Sequence, residues 1–227
     1  MTKKIKDLII LIPAFNEQKN LKKTILTAKK IANVLVVDDC STDKTYMISK
    51  KYSDYIISNR NRKGYDYCLK RGMIEVLKNH DKNFMITIDG DGQHPINEII
   101  SLYNLLKEKK IDIIIGSRNK FNRISENIVS FFSRLFLNIV DPYSGMKGYR
   151  IKSLKRNINF LDLNKNQIGI FFILMFQKNQ ITEKSIKVKN KNKSSSFGDG
   201  FKINLFLLTN FFNIILKKVI KVIFKMN

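Results

Sequence analysis

The chain has 227 residues, 44% of them hydrophobic, and carries 42 Lys and Arg against 19 Asp and Glu, a formal net charge of +23. That length suits one domain with a substantial core, and the charge calls for an anionic partner: nucleic acid, an anionic membrane surface or phosphorylated substrates. Cys40 and Cys68 are the only cysteines, which favours reduced thiols in a cytosolic setting over a disulfide framework and suggests no zinc site.

Taken in order, Met1 to Asp7 precedes only five apolar residues, Leu8 to Ile12, before Pro13, too few for a secretory signal. Those five read as a strand. Further strand-like runs are predicted at Val34–Val37, Tyr55–Ser58, Phe84–Ile88 and Ile111–Ile115, with helix-like segments between them at Gln18–Ile31, Thr42–Tyr52, Tyr65–Asn79 and Ile96–Lys109. Such alternation predicts an α/β domain, a mostly parallel sheet covered by helices on both faces. Ser41 or Thr42 is placed to cap the second helix, and Pro95 stands where the fourth should begin. Asn122 to Val140 is helical by pattern, with Arg123 and Arg134 among aliphatic and aromatic residues. It reads either as a core helix with exposed arginines or as one lying at a lipid headgroup layer.

The strand ends carry the chemistry. Pro13-Ala14-Phe15-Asn16-Glu17 follows the first strand and Asp38-Asp39-Cys40-Ser41-Thr42-Asp43 the second. Taken singly, Asn16 reads as a helix cap and the acidic run as an Asx-type turn. The fourth strand stops at Asp89-Gly90-Asp91-Gly92-Gln93-His94-Pro95. Residues two apart in an extended chain point the same way, so Asp89 and Asp91 start on one side, and the glycines let the loop turn both carboxylates toward one hard cation. In open parallel sheets ligands bind at the carboxyl ends of strands, where this loop sits. Gly116-Ser117-Arg118 reads as a tight turn presenting one guanidinium to the same rim, a fork suited to phosphate oxygens. Asp141-Pro142-Tyr143-Ser144-Gly145-Met146-Lys147-Gly148-Tyr149-Arg150 comes later. Asp141 there is either catalytic or the start of a turn.

The Asp-Gly-Asp-Gly-Gln-His-Pro string resembles the Asp-x-Asp loop of family 2 glycosyltransferases with the GT-A fold, most closely the branch of dolichyl-phosphate mannose synthase and other polyprenyl-phosphate glycosyltransferases. Asp141 to Arg150 matches that family's Asp-x-x-Ser-Gly-x-Lys-x-x-Arg segment. The resemblance implies a Rossmann-like, mostly parallel central sheet over residues 1–200. It implies a base and ribose pocket lined by Pro13, Phe15 and Glu17, with Asp39 accepting a hydrogen bond from the base. Asp89, Asp91 and Gln93, with Gly90 beside them, would hold Mg²⁺ or Mn²⁺ against the donor diphosphate. Arg118, Arg123 and Arg134 would position the acceptor, and Gly145 would allow close backbone approach to the sugar. Lys193 and Ser195 match a segment that closes over the diphosphate or the acceptor phosphate. The family usually has small residues where this chain has Asp66, Tyr67 and Cys68.

Many inverting relatives place an acidic base on the helix corresponding to Gln167–Gln177, which has no acid here. A hydroxyl acceptor needs such a base, whereas a phosphate monoester, with a second pKa of about 6, is already largely dianionic at neutral pH. The tail, residues 201–227, mixes Phe, Leu and Ile with Lys217, Lys218, Lys221 and Lys225, and reads as an interfacial amphipathic helix or as a helix packed on protein. The expected function is therefore metal-dependent, inverting sugar transfer from a nucleotide diphosphate sugar to a polyprenyl phosphate. The expected location is cytoplasmic, peripheral at the cytosolic face of an anionic membrane. Transfer to a sugar hydroxyl is the competing enzyme reading. A basic nucleic-acid-binding protein is the competitor of another class, and it leaves the acidic rim unexplained.

Overall fold

A computed structural model describes residues 4–108, 111–121, 123–157, 180–188 and 201–223. The apolar runs that open the chain become β1 (Leu8–Ala14), β2 (Asn33–Asp38), β3 (Tyr55–Ser58), β4 (Phe84–Thr87) and β5 (Ile113–Arg118). The helices between them are α1 (Leu21–Lys29), α2 (Thr45–Tyr52), α3 (Tyr65–Asn79) and α4 (Ile96–Glu108), followed by α5 (Ile124–Leu137). Two further strands, β6 (Lys147–Arg150) and β7 (Ile181–Ile186), and two further helices, α6 (Ile151–Asn157) and α7 (Phe201–Ile223), complete the described elements.

The strands lie in the order β3-β2-β1-β4-β6-β5-β7. All pairings are parallel except those of β6, which runs antiparallel between β4 and β5. Strand alternation divides the core in two. Leu8, Ile10 and Ile12 face α1 and α4, with Leu21, Ile25, Leu102 and Leu106, whereas Ile9 and Leu11 face α3, with Leu69, Met73 and Val76. Burial on both faces explains why these strands read as unbroken apolar runs.

Three expectations are corrected. Gly116 to Arg118 is not a turn: these residues extend β5 and pair with Lys184 to Ile186 of β7. Asn16 does not cap α1. It takes φ +54° and ties the first connection to the second, accepting from the Thr42 amide at 2.9 Å while its own amide donates to Ser41 Oγ at 3.0 Å. Neither Ser41 nor Thr42 caps α2, because Asp43 Oδ1 takes the Thr45 amide at 2.8 Å.

The tail helix resolves into two faces. One packs on α5, where Val129 and Phe211 are fully buried and the rings of Phe132 and Phe212 meet edge to face at 5.1 Å. Tyr143 Oη also donates to the Leu207 carbonyl at 2.7 Å, and the Ser125 amide donates to Asn204 Oδ1 at 3.1 Å. The other face is open, with Phe201 81% exposed, and on α5 Phe131 (66%) and Leu135 (68%) are exposed as well. Among the described residues no helix is long and apolar enough to cross a membrane.

Candidate active site

A cavity of about 520 Å³ lies at the carboxyl ends of β1, β2 and β4, the rim where the strand-end motifs converge. At one end stand Pro13, Phe15, Glu17 and Asp39, with the Arg62 guanidinium 4.1 Å from the centre of the Phe15 ring. Asp39 is nearly enclosed: Asn59 Nδ2 and the Lys63 amide donate to Oδ1 at 2.7 and 2.8 Å, and the Gly64 amide donates to Oδ2 at 2.7 Å. Burial alone would raise its pKa, but these hydrogen bonds outweigh burial and lower it. Asp39 thus shapes the third connection as well as lining the cavity.

The metal-type loop forms the middle of the cavity, with Asp89, Gly90, Asp91, Gln93 and His94 all on its wall. Tyr65 Oη donates to Asp89 Oδ1 at 3.1 Å, and His94 Nε2 lies 3.4 Å from Oδ2. Burial pushes the Asp89 carboxyl upward, yet the His94 and Tyr65 contacts and the Arg118 charge prevail and hold it below the usual carboxylate value. The Gln93 amide donates to Asp91 Oδ1 at 3.1 Å, and Thr24 Oγ1 donates to the Gly90 carbonyl at 3.2 Å, which fixes the loop over α1. Gly145 answers from β6's approach: a Cβ there would fall on the Asp89 carboxylate. The glycine therefore makes room for Asp89.

These donors fit a hard divalent ion. Among the described residues no three His, Cys, Asp or Glu side chains converge as a metal cage. Mg²⁺ in phosphate-transfer sites is commonly held by one or two carboxylates plus substrate phosphates, and two carboxylates at the edge of an open cavity suit that chemistry.

The far end is basic but internally paired. Arg118 Nε and Nη2 clasp Asp141 at 2.7 and 3.0 Å, and the Arg118 amide adds a third bond at 3.0 Å. Glu126 Oε1 lies 3.6 Å from Arg118 Nη2 and 3.0 Å from Arg123 Nη1. Burial disfavours the Arg118 charge, but the Asp141 contact more than reverses this and raises its pKa. Asp141 is 1% exposed, does not line the cavity, and has its own amide held by Glu183 Oε1 at 2.9 Å. Its place is behind Arg118, which it holds through three hydrogen bonds. Arg118 and Arg123 line the cavity; Arg134 does not, being exposed and three helical turns further along α5.

The sequence profile of the family described as Glycosyl transferase family 2 matches residues 9–178, most of the chain. The chain belongs to glycosyl transferase family 2. It is 26% identical over 217 residues to an uncharacterized protein of Methanocaldococcus jannaschii, covering 87% of this chain and 89% of that one. It is 22% identical over 211 residues to the UDP-N-acetylglucosamine–dolichyl-phosphate N-acetylglucosaminyltransferase of Methanococcus voltae, covering 79% and 84% of the two chains. Among solved structures, glucosyl-3-phosphoglycerate synthase from Mycobacterium tuberculosis, in complex with Mn²⁺ and UDP-glucose, superposes with a TM-score of 0.73. That match has 14% identity and covers 93% of this chain and 78% of that one. The likeness establishes the GT-A fold expected from the sequence.

Several residues of this glycosyltransferase site carry no isolated signal in the sequence. Tyr65 opens α3 beside the departures noted at Asp66 to Cys68, and only the fold brings its hydroxyl to Asp89. Glu126 sits in an ordinary helical pattern. Lys147 is 5% exposed on the cavity floor, where burial lowers its pKa to about 8 against the upward pull of Asp141. Its Nζ donates to the Ser144 carbonyl at 2.5 Å. The rim beyond the arginines is apolar, formed by Val188 and by Ile203, Phe206 and Leu207 of α7. Lys193, Ser195 and the Gln167–Gln177 segment lie outside the described residues.

Proposed function

We propose that this family 2 glycosyltransferase moves a sugar from a nucleotide diphosphate sugar to a polyprenyl phosphate, with inversion and with Mg²⁺ or Mn²⁺, at the cytosolic face of a membrane. The observation that carries this reading is the composition of one cavity. A carboxylate loop, two arginines and an apolar rim follow one another along it, and the rim belongs to the helix whose outer face is open and apolar. A nucleotide sugar, a phosphate and a lipid chain are the three chemistries that such a sequence of walls suits. The Methanococcus voltae relative, which its name places on a dolichyl-phosphate acceptor, supports the same class.

In this reading Pro13, Phe15, Glu17 and Asp39 hold the nucleoside, with Arg62 beside Phe15. Asp89, Asp91 and Gln93 hold the divalent ion, with Gly90 leaving room for the donor. When bound, the ion supplies Lewis-acid neutralisation of charge on the departing nucleotide diphosphate. Arg118 orients the acceptor phosphate with the N–H donors that Asp141 does not use, and Arg123 supports it through Glu126. The acceptor phosphate brings its own anionic nucleophile, so no side chain has to remove a proton from it. Lys193 and Ser195 would close over the phosphates. Residues 1–200 would be the catalytic domain and residues 201–227 its membrane-binding tail, whose sequence carries Lys217, Lys218, Lys221 and Lys225, each worth about 1 kcal/mol near an anionic lipid surface. The charge excess serves that surface and the phosphorylated substrates, with no nucleic acid required.

The test is transfer by the purified protein from a panel of labelled sugar nucleotides, with polyprenyl phosphate and glycan acceptors in parallel. The expected product is an acid-labile sugar phosphodiester on the lipid that requires a divalent ion. A product that survives mild acid, or that forms only on a glycan hydroxyl, overturns the acceptor assignment.

A further inference from the structure

Asp89 is gripped from two directions by side chains that the sequence motif does not contain or does not explain. His94 Nε2 approaches Oδ2 at 3.4 Å, and Tyr65 Oη approaches Oδ1 at the shorter distance of 3.1 Å. Tyr65 does not come from the carboxylate loop. It is the first residue of α3, immediately after Gly64, which takes φ +94° and whose amide is fixed by Asp39 Oδ2 at 2.7 Å. One short turn, Lys63-Gly64-Tyr65, therefore joins the carboxylate at the nucleoside end of the cavity to the carboxylate at its metal end. The Cα of Gly145 backs the same carboxylate and limits its retreat.

We propose that Tyr65 is a positioning residue for Asp89: its hydroxyl sets the orientation in which that carboxylate serves the donor's divalent ion. The inference rests on the metal-site reading given above. A phenol that donates to a carboxylate restricts its rotation without competing for a cation, since the hydroxyl proton stays between the two oxygens. His94 alone leaves Oδ1 unrestrained. A Phe ring fills the same space and lacks only the donor, so the substitution isolates the hydrogen bond from the packing.

The experiment is Mn²⁺ binding to the full-length protein at saturating UDP, followed by electron paramagnetic resonance. Tyr65→Phe is expected to weaken Mn²⁺ binding about 10- to 100-fold, the usual cost of losing a ligand's hydrogen-bonding partner. Tyr103→Phe removes a tyrosine hydroxyl bonded to a different carboxylate, Asp7 at 2.9 Å, and is expected to leave Mn²⁺ affinity unchanged. In an Asp89→Asn background Tyr65→Phe is expected to add nothing further, because both changes act through one group. Unchanged affinity in Tyr65→Phe, or an equal loss in Tyr103→Phe, overturns the inference. So does a full additional loss in the Asp89→Asn background. Failure of the unaltered protein to take up Mn²⁺ overturns this inference and the metal-site reading together, whereas Mn²⁺ uptake that ignores Tyr65 overturns the inference alone.

Discussion

The Cα of Gly145 faces the Asp89 carboxylate so closely that a Cβ built on it would overlap both carboxylate oxygens. Two segments separated by more than fifty residues are thus fitted to one another, with Thr87 Oγ1 donating to the Gly145 carbonyl at 2.8 Å as the neighbouring tie. Even the smallest side chain at Gly145 has to displace Asp89. A displacement near 1 Å at reacting groups costs about 100-fold in rate. Gly145→Ala is therefore expected to lower kcat by about 100-fold, measured as nucleotide diphosphate release, with a melting temperature within a few degrees of the parent. Full activity in that variant would sink the account of Gly145.

Asp141 offers a contrast between two roles. As the buried partner of Arg118 it should matter to the fold: removing one member of a buried ion pair costs about 3 kcal/mol when the other is left uncompensated, and less here because Glu126 Oε1 lies 3.6 Å from Arg118 Nη2. Asp141→Asn is expected to lower the denaturation midpoint accordingly and to raise the KM for the proposed phosphate acceptor. A general base would behave otherwise: kcat would collapse while stability stayed intact.

Lys147 supplies a pH dependence with a definite sign. Burial lowers its pKa from 10.5 to about 8, so the folded chain binds fewer protons than the unfolded chain between those values. Stability from this group consequently rises with pH through the window 8 to 10.5, at no more than about 1.4 kcal/mol per unit. Activity should run the opposite way, since the cavity floor loses a cation as pH passes about 8. Lys147→Met is expected to abolish that basic limb in the kcat/KM profile. A limb that survives the substitution belongs to another group.

The membrane-facing reading is tested better by charge than by truncation. Removing α7 would uncover Val129 and take Ile203, Phe206 and Leu207 out of the cavity wall, so lost activity would say little about lipid. Phe131→Glu with Leu135→Glu alters side chains that are 66% and 68% exposed and spares the packed face. The double variant is expected to reduce sedimentation with anionic liposomes at least tenfold while leaving the melting temperature within a few degrees. Undiminished liposome binding would argue that these helices face another partner.

The sequence determined the doubly covered sheet, because strands buried on both sides must be written as unbroken apolar runs, and β3 and α3 carry the bounds their patterns predict. It also determined the carboxylate loop and the family, since a carboxylate-bearing turn between a strand and a helix is a local construction. What it did not convey was β6, whose Lys-Gly-Tyr-Arg has no apolar run and becomes a strand by filling the gap between β4 and β5. The pairing of Arg118 with Asp141, the retreat of Arg134 from the cavity and the hydroxyl of Tyr65 on Asp89 were likewise decided by tertiary structure. Each depends on which segments, distant along the chain, share a wall. Local periodicity fixes which way a side chain leaves its own strand or helix, but only packing of the whole sheet and its helices fixes what that side chain meets.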